Sequence, residues 1–533
     1  MLSCFIGKGI SMEGFSNTEK NVFIIKLSKM IDRGALMSRY SRTSELDIRN
    51  VYRKEFLNDD KRGEEFYRKV FLEYGDESVS ELVTAQVGLQ NISNLITWYI
   101  EGSRIGLSFL EKSSRYVKYE NFEGMFLHAA YIGIADPLAS EYDSHCRGLF
   151  DLYEKVLSVA EQYYRSRFPI EGFRFKDALS SEEVMFPFLK DEKSIRSAKN
   201  VYNRSVRARA LDEARACLPV STITNLGISG NARSFIYLIQ KLNAVKIPEF
   251  QRISSDLYNE LDVEFPNLME NATNTYGSRM TEYITERNER PRTFSPSESF
   301  TGVKIIDFRS EEDEMHRIYS ALKFDETGKI PSSTDKDAER AYVDSYIDKI
   351  GNARNNRREK GGRFFEIPEY LFQVTCSLGT FREFQRHRIL TIIKRDITPV
   401  SGFYVPPLLI DFPEILDQYT ERMKGAIELW EKVRKISGES LAQYVVPFAC
   451  YQVFIVKINL QELCYFIELR SGSSAHPEIR KIALEMYDIV MKIHPILGKI
   501  VKFVDTGDYP LGRFSAEKNK ERKINEIKND EKN

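Results

Sequence analysis

Residues 386–388 read Arg-His-Arg, three nitrogen-rich side chains in a row within the stretch FREFQRHRIL. A guanidinium is always charged and grips phosphate or carboxylate as a fork, and histidine titrates near neutrality, so the triplet suits an anionic ligand. Thr380 and Glu383 have the spacing of a helix capping box, which predicts that the triplet is helical. On a helix Arg386 and Arg388 point about 200° apart and must serve different partners. A second candidate is the run from Glu111 to Tyr116. Its Ser113, Ser114 and Arg115 offer hydroxyls, backbone N–H groups and a guanidinium, a set suited to a phosphate monoester. Each has a plainer reading: a solvated basic patch for the triplet, and an ordinary turn with an exposed arginine for Ser113–Arg115. Cys217, near Arg215, reads as a core residue.

The elements that would position these residues occur twice. NARSFIYLIQKL begins at Asn231 and NLQELCYFIELR at Asn459, 228 positions later. At the same offset Phe235 meets Leu463, Tyr237 meets Tyr465, Ile239 meets Ile467, Pro219 meets Pro447 and Arg252 meets Arg480. Both segments carry apolar residues at i, i+3, i+4 and i+7, the mark of an amphipathic helix. Upstream, SELVTAQVGLQNISNLITWYI and EYLFQVTCSLGTFREFQRHR each read as a strand running into a helix. An internal duplication accounts for all of these pairs. The triplet itself is absent from the first copy, where Glu101-Gly102-Ser103 or Ser103-Arg104-Ile105 takes its place. The second copy in turn has Lys394-Arg395-Asp396-Ile397-Thr398-Pro399 where the first has its serine-arginine run. The expected organisation is a first half over 1–270, a polar linker over 271–305, a second half over 306–515 and a disordered charged tail over 516–533. The fold class expected is α+β, rich in helix, with a small sheet in each half packed by long helices.

Composition narrows the function classes. The chain has 533 residues, 77 basic against 78 acidic side chains and 42% hydrophobic residues. A formal charge of -1 argues against a dedicated nucleic-acid binder. The basic stretch Arg196–Arg209 keeps RNA binding as a weaker reading. Six cysteines without a C-x-x-C pair indicate neither a disulfide framework nor a zinc knuckle. No apolar run reaches about 18 residues and the N-terminus lacks a leader pattern, so a cytoplasmic protein with no membrane partner is expected.

The set and order of these motifs resembles the flavin-dependent thymidylate synthases, over roughly residues 30–270 and 310–500. That family carries the signature R-H-R-x-x-S-x-N-E-x-S-x-R-Y, then an Asn-Ala-Arg helix with an arginine near its end. This chain looks like two tandem copies with the signature divided between them. The resemblance implies that Glu111, Ser113, Ser114 and Arg115 cradle dUMP, with Arg215 also on the nucleotide. Position 443, the counterpart of Arg215, is glutamine. Arg470 would polarise the uracil ring, and Leu242 stands at its counterpart. FAD contacts are implied for Arg386, His387, Arg388, Asn231, Arg233, Ser78 and Asn459, with Glu111 and Arg386 shared between cofactor and nucleotide.

The activity implied is reductive methylation of dUMP to dTMP, with methylenetetrahydrofolate and NAD(P)H as co-substrates and no metal. It would take place at one composite site between the halves, in a homodimer of the fused chain. The same fold without catalysis would be a flavin- or nucleotide-binding scaffold. Three positions depart from the family pattern. Asp76-Glu77-Ser78 stands for His-Glu-Thr, Leu110 for asparagine and Glu383 for glutamine. An acid at 383 would either repel a nucleotide phosphate or neutralise a neighbouring arginine.

Overall fold

A computed structural model describes residues 14–59, 61–74, 77–103, 105–119, 123–177, 182–290, 293, 300–332 and 335–530. Cys4, Asp76 and Arg104 lie outside the described residues. The chain forms two compact units that do not follow the sequence halves. The described residues of Met1–Lys112, Ala130–Gly133 and Ile223–Thr293 form one unit, and those of Ser113–Ala129, Ile134–Thr222 and Phe294–Asn533 the other.

The first unit holds a three-stranded antiparallel sheet, with Ile223–Asn231 between Thr84–Ser93 and Leu107–Glu111. The second holds a four-stranded antiparallel sheet ordered Gly302–Phe308, Glu369–Ser377, Tyr451–Asn459, Thr391–Lys394. In its central pair Tyr370 faces Ile458, Phe372 faces Val456 and Val374 faces Phe454, and all six are buried. The period-two pattern of these strands therefore directs one face into the core. The fold is α+β, as expected.

The duplication reappears as a repeated hydrogen-bond set. In each unit a strand ends on a serine that caps the next helix: Ser93 accepts from the Ile96 N–H, and Ser377 from the Thr380 N–H, both at 3.2 Å. Each serine in turn donates its N–H and hydroxyl to a buried or half-buried glutamate, Glu249 in one unit and Glu478 in the other. Each glutamate follows a proline at the first position of a long helix, Pro248 or Pro477. These prolines lie 229 positions apart, one more than the asparagines. The pairing of Arg252 with Arg480 is therefore one residue out of register. Gln251 is the counterpart of Arg480: it donates to the carbonyl of Leu242 nine residues back, as Arg480 Nε donates to that of Ser471.

The helix before the triplet runs Leu378–Gln385 and ends with Arg386 as its C-cap. The cap residue is Ser377, not Thr380, and residues 386–388 lie in a turn rather than on the helix. Ser377 wins because its hydroxyl takes the helix N–H while Glu478 holds both its donors, and Thr380 Oγ1 also donates to Glu478 at 2.6 Å.

Within the second unit the helices Leu138–Arg167 and Pro413–Ser437 run antiparallel, linked by Lys155 to Gln418 and Lys432 to Glu141. They approach so closely at Gly148 that a Cβ there would lie 2.5 Å from the Arg422 guanidinium carbon. Beside them Val220 N–H donates to Val446 and Phe448 N–H to Leu218, each at 2.9 Å. This pairing explains why residues 134–222 belong with the second half. Tyr142 and Tyr153 on the one helix and Tyr419 and Trp430 on the other are each no more than 1% exposed. Burial of such rings stabilises by about 1.5–3 kcal/mol apiece or more.

Two segments are more ordered than expected. Thr275–Asn288, within the expected linker, is a helix capped by Asn274 and anchored by the buried Ile284. Phe514–Asp530, most of the expected disordered tail, is also helical. It is fastened at its start by Phe514 against Phe173 and Phe175, and along one side by Glu521 on Arg204 and Lys518 on Glu183. Composition missed it because its aromatic anchor precedes the charged run. Among the described residues no helix is long and apolar enough to cross a membrane. The five described cysteines are buried and unpaired in disulfides, Cys217 among them.

Candidate active site

Glu383 lies in the last turn of the helix Leu378–Gln385 and is 3% exposed. Its Oε2 accepts from Arg470 Nη1 at 2.6 Å, its backbone carbonyl accepts from Arg470 Nη2 at 3.1 Å, and its Oε1 lies 3.9 Å from Arg115 Nη1. Arg470 ends the helix Leu460–Arg470 in the second sequence half, while Arg115 follows the strand Leu107–Glu111 of the first. One carboxylate therefore holds arginines from both halves. Burial alone would raise its pKa, but the charges of Arg470, Arg386, Arg115 and Arg215 outweigh that and keep it at about 2.

Arg115 is itself buried and forked onto Asp212, with Nε to Oδ1 at 2.7 Å and Nη2 to Oδ2 at 2.9 Å. Nη2 also donates to the Ser474 carbonyl at 3.2 Å, so only Nη1 is uncommitted, and it faces Glu383. Arg115 is thus a fixed wall of the cluster more than a free clamp. Burial works against the charge on Asp212, yet the Arg115 guanidinium holds that carboxyl well below the usual range. Asp212 also lines a cleft of about 590 Å³ with Tyr163, Arg209, Arg480 and Tyr509, a volume suited to a small ligand.

Arg215 is a cation of a different kind. It is 4% exposed, donates once, from Nη2 to the Gly379 carbonyl at 3.2 Å, and forms no ion pair with a described residue. Burial pushes its pKa down to about 10, with Asp212 pulling the other way. Arg386, at the C-cap beside Glu383, is exposed, and its side chain makes neither a hydrogen bond nor an ion pair with a described residue. A buried guanidinium with unused donors is a candidate for holding an anion.

His387 is buried behind Arg470. Its Nδ1 contacts Glu462 Oε1 at 2.8 Å and its Nε2 lies 3.1 Å from Arg470 Nε. Because Arg470 Nε can only donate, His387 Nε2 must accept, so the imidazole is neutral with its proton on Nδ1 facing Glu462. Burial lowers the His387 pKa, in keeping with that state. Every nitrogen of the Arg470 guanidinium is thereby oriented: Nε by His387, Nη1 and Nη2 by Glu383. His476 caps the next helix, accepting the Glu478 N–H at Nδ1, and its Nε2 meets the Asp212 carbonyl at 3.3 Å. Burial, with Arg215 nearby, holds His476 neutral.

The structure brings together Arg115, Arg215, Arg386, His387 and Arg470. Ser113 and Ser114 adjoin them in the chain; Ser113 Oγ accepts the Arg115 N–H at 3.3 Å, and Ser114 is buried with no side-chain hydrogen bond to a described residue. Arg388 is exposed in the turn. Ser78, Glu111, Asn231 and Arg233 belong to the other unit. There Glu111 accepts from Thr97 Oγ1 at 3.2 Å, and Arg233 pairs at 2.8 Å with Glu81, in the same short helix as the exposed Ser78. Asn231 and Asn459 each accept a helix N–H at 2.9 Å, from Ser234 and Glu462. For Asn459 a capping role is therefore already filled. Asn459→Ala is expected to lower stability by about 1 kcal/mol in chemical denaturation while leaving the flavin content of the purified protein unchanged.

Asp212, Glu462 and His476 were not anticipated from sequence. Asp212 precedes Arg215 by one helical turn, and Glu462 sits at the third position after the Asn459 cap, but neither spacing identifies a partner 97 residues away, as Arg115 is from Asp212, or 75 away, as His387 is from Glu462. In the helix Glu192–Ala214, Arg204, Arg207 and Arg209 are paired with Glu521, Glu161 and Glu213, which weakens the RNA-binding reading.

The model of the thymidylate synthase complementing protein family matches residues 29–267 and again 305–496. The chain is 45% identical over 497 residues to the UPF0159 protein of Thermoplasma acidophilum, covering 92% of this chain and 98% of that one. It is 29% identical to the UPF0159 protein of Chlamydia muridarum, over 94% of this chain and 95% of the relative. A shorter stretch of 146 residues is 29% identical to a flavin-dependent thymidylate synthase of Pseudothermotoga lettingae, spanning 25% of this chain and 65% of that enzyme. Two matched regions, each built on an antiparallel sheet with asparagine- and serine-capped helices, account for most of the sequence: the chain belongs to the thymidylate synthase complementing protein family, with the family's region present twice.

Proposed function

We propose that this chain methylates dUMP to dTMP, using FAD with methylenetetrahydrofolate and NAD(P)H, at the arginine cluster around Glu383. The observation that carries the reading is that arginines from both sequence halves meet there while Arg215 and Arg386 retain unused donors. Those donors fit phosphate, which both the nucleotide and the cofactor contain. Arg215 would hold the dUMP phosphate, assisted by Ser114 and the remaining Arg115 Nη1. Arg386 and Arg388, on a turn open to solvent, would hold FAD. Arg470, fixed on three sides, would present its outer N–H groups to the uracil and stabilise negative charge developing on the ring. When bound, the reduced flavin supplies hydride, NAD(P)H restores it and the folate supplies the carbon.

A binding-only scaffold is the second reading, favoured by the Arg470–Glu383 pair, which already neutralises Arg470 without any ligand. The test is the visible absorption spectrum of the purified chain, with flavin released and counted, before and after dUMP, followed by an assay for dTMP. About one flavin per chain, a spectrum perturbed by dUMP and dTMP formed are expected. Flavin and dUMP binding without dTMP would favour the scaffold. No flavin after incubation with FAD would refute the synthase reading.

A further inference from the structure

Both ring nitrogens of His387 are spent inside the protein. The resemblance gives this residue to FAD, yet its side chain is only 2% exposed, with Nδ1 on Glu462 Oε1 at 2.8 Å and Nε2 on Arg470 Nε at 3.1 Å. Phe466 and Tyr465 pack beside the ring, with centroids 4.9 and 5.7 Å away. Glu462 is fixed from its own side: it is 6% exposed, and its N–H donates to the Asn459 cap at 2.9 Å. Carboxylate, imidazole and guanidinium thus form one chain that ends at the arginine assigned to the uracil. Among the described residues, the ionisable groups that face the ring are Glu462, Arg470, Tyr465 and, beyond Arg470, Glu383.

A neutral imidazole carries one proton, and only one placement fits this chain. With the proton on Nδ1, the ring donates to Glu462 and accepts from Arg470 at Nε2. With the proton on Nε2, two N–H donors would meet at the arginine and two acceptors at the carboxylate. We propose that Glu462 is a positioning residue: by holding the His387 proton on Nδ1 it keeps Nε2 free to accept from Arg470, and so fixes the orientation in which the guanidinium meets the substrate. The proposal rests on the synthase reading above for its effect on rate, but not for the tautomer. Glu383 engages only the two terminal nitrogens of Arg470, so loss of the Nε contact leaves the guanidinium held by Glu383 alone. Protonating the ring would break the chain in the same way, because Nε2 would then be a donor.

The test is nitrogen-15 NMR of the histidine-labelled full chain, with the His387 signals assigned from His387→Gln, together with kcat and KM for dTMP formation. Wild type is expected to carry the His387 proton on Nδ1 at pH 7 and to stay neutral to a lower pH than an ordinary histidine, because burial disfavours the charged ring. kcat should fall on the acid side with the midpoint at which that signal titrates. Glu462→Leu removes the acceptor, so the proton should redistribute to Nε2 and kcat should drop by about tenfold or more, with KM for dUMP changed by less than about threefold. Glu462→Gln can turn its amide oxygen to Nδ1 and should retain most of the Nδ1 proton and most of kcat. A purely structural role would lower the folded fraction and leave the tautomer and kcat per folded chain unchanged. A wild-type ring protonated on Nε2 at pH 7 would overturn the proposal without any variant having to fold; so would an unchanged tautomer or kcat in Glu462→Leu. Wild type that forms no dTMP would instead overturn the synthase reading, while the spectra alone decide what Glu462 does to the ring.

Discussion

Arg470→Ala is expected to lower the rate of dTMP formation by about 10²–10³-fold while dUMP still perturbs the flavin spectrum. The argument is geometric. Arg470 is held by His387 Nε2, Glu383 Oε2 and the Glu383 carbonyl, at 3.1, 2.6 and 3.1 Å, so its guanidinium is oriented before any ligand arrives. A donor fixed in advance stabilises developing charge without reorganising at the moment of reaction, and such a donor acts on rate more than on ground-state binding. Arg470→Lys should recover little, because one ammonium cannot meet three acceptors arranged around a planar fork. The effect is to be read as kcat and KM separately. A variant with unchanged kcat would remove Arg470 from the chemistry and leave the Glu383 pair as a structural contact.

The second large effect is on stability. Asp212→Ala should destabilise the second unit by about 3–5 kcal/mol, because it leaves the Arg115 guanidinium buried without its counter-ion. Asp212 and Arg115 are 4% and 7% exposed, and two hydrogen bonds join them. Asp212→Asn, which keeps one acceptor, should cost less. The pH dependence has a definite sign. The folded-state carboxyl of Asp212 is depressed below its ordinary value, so its contribution is fully present above about pH 4 and is lost as pH falls below that. Denaturant midpoints of wild type and Asp212→Ala should therefore stay apart from pH 7 down to about pH 4, then converge. Equal midpoints at pH 7 would show that Arg115 finds another partner, with Glu383 the nearest.

Much of the local structure was legible in the sequence. The asparagine-started helices, the strands leading to them and the duplication all follow from periods of two and about three and a half residues and from capping chemistry, which are properties of short stretches. The candidate arginines could also be named, because arginine beside serine or histidine is a local signal for phosphate. What failed locally was the start of the helix before the triplet, where Ser377 and not Thr380 is the cap, since that choice depends on Glu478, about a hundred residues away.

The sequence by itself determined the family resemblance, the two repeats and which copy retains each motif. Only the tertiary structure decided what those residues are able to do. It paired Arg115 with Asp212 and Arg470 with Glu383, and left the side chains of Arg215 and Arg386 open. It also joined residues 134–222 to the second half through the Leu218–Val220 and Val446–Phe448 backbone pairing. The physical reason is range: propensity and capping act over a few residues, whereas the state of a buried charge is set by whichever opposite charge folding brings within about 4 Å.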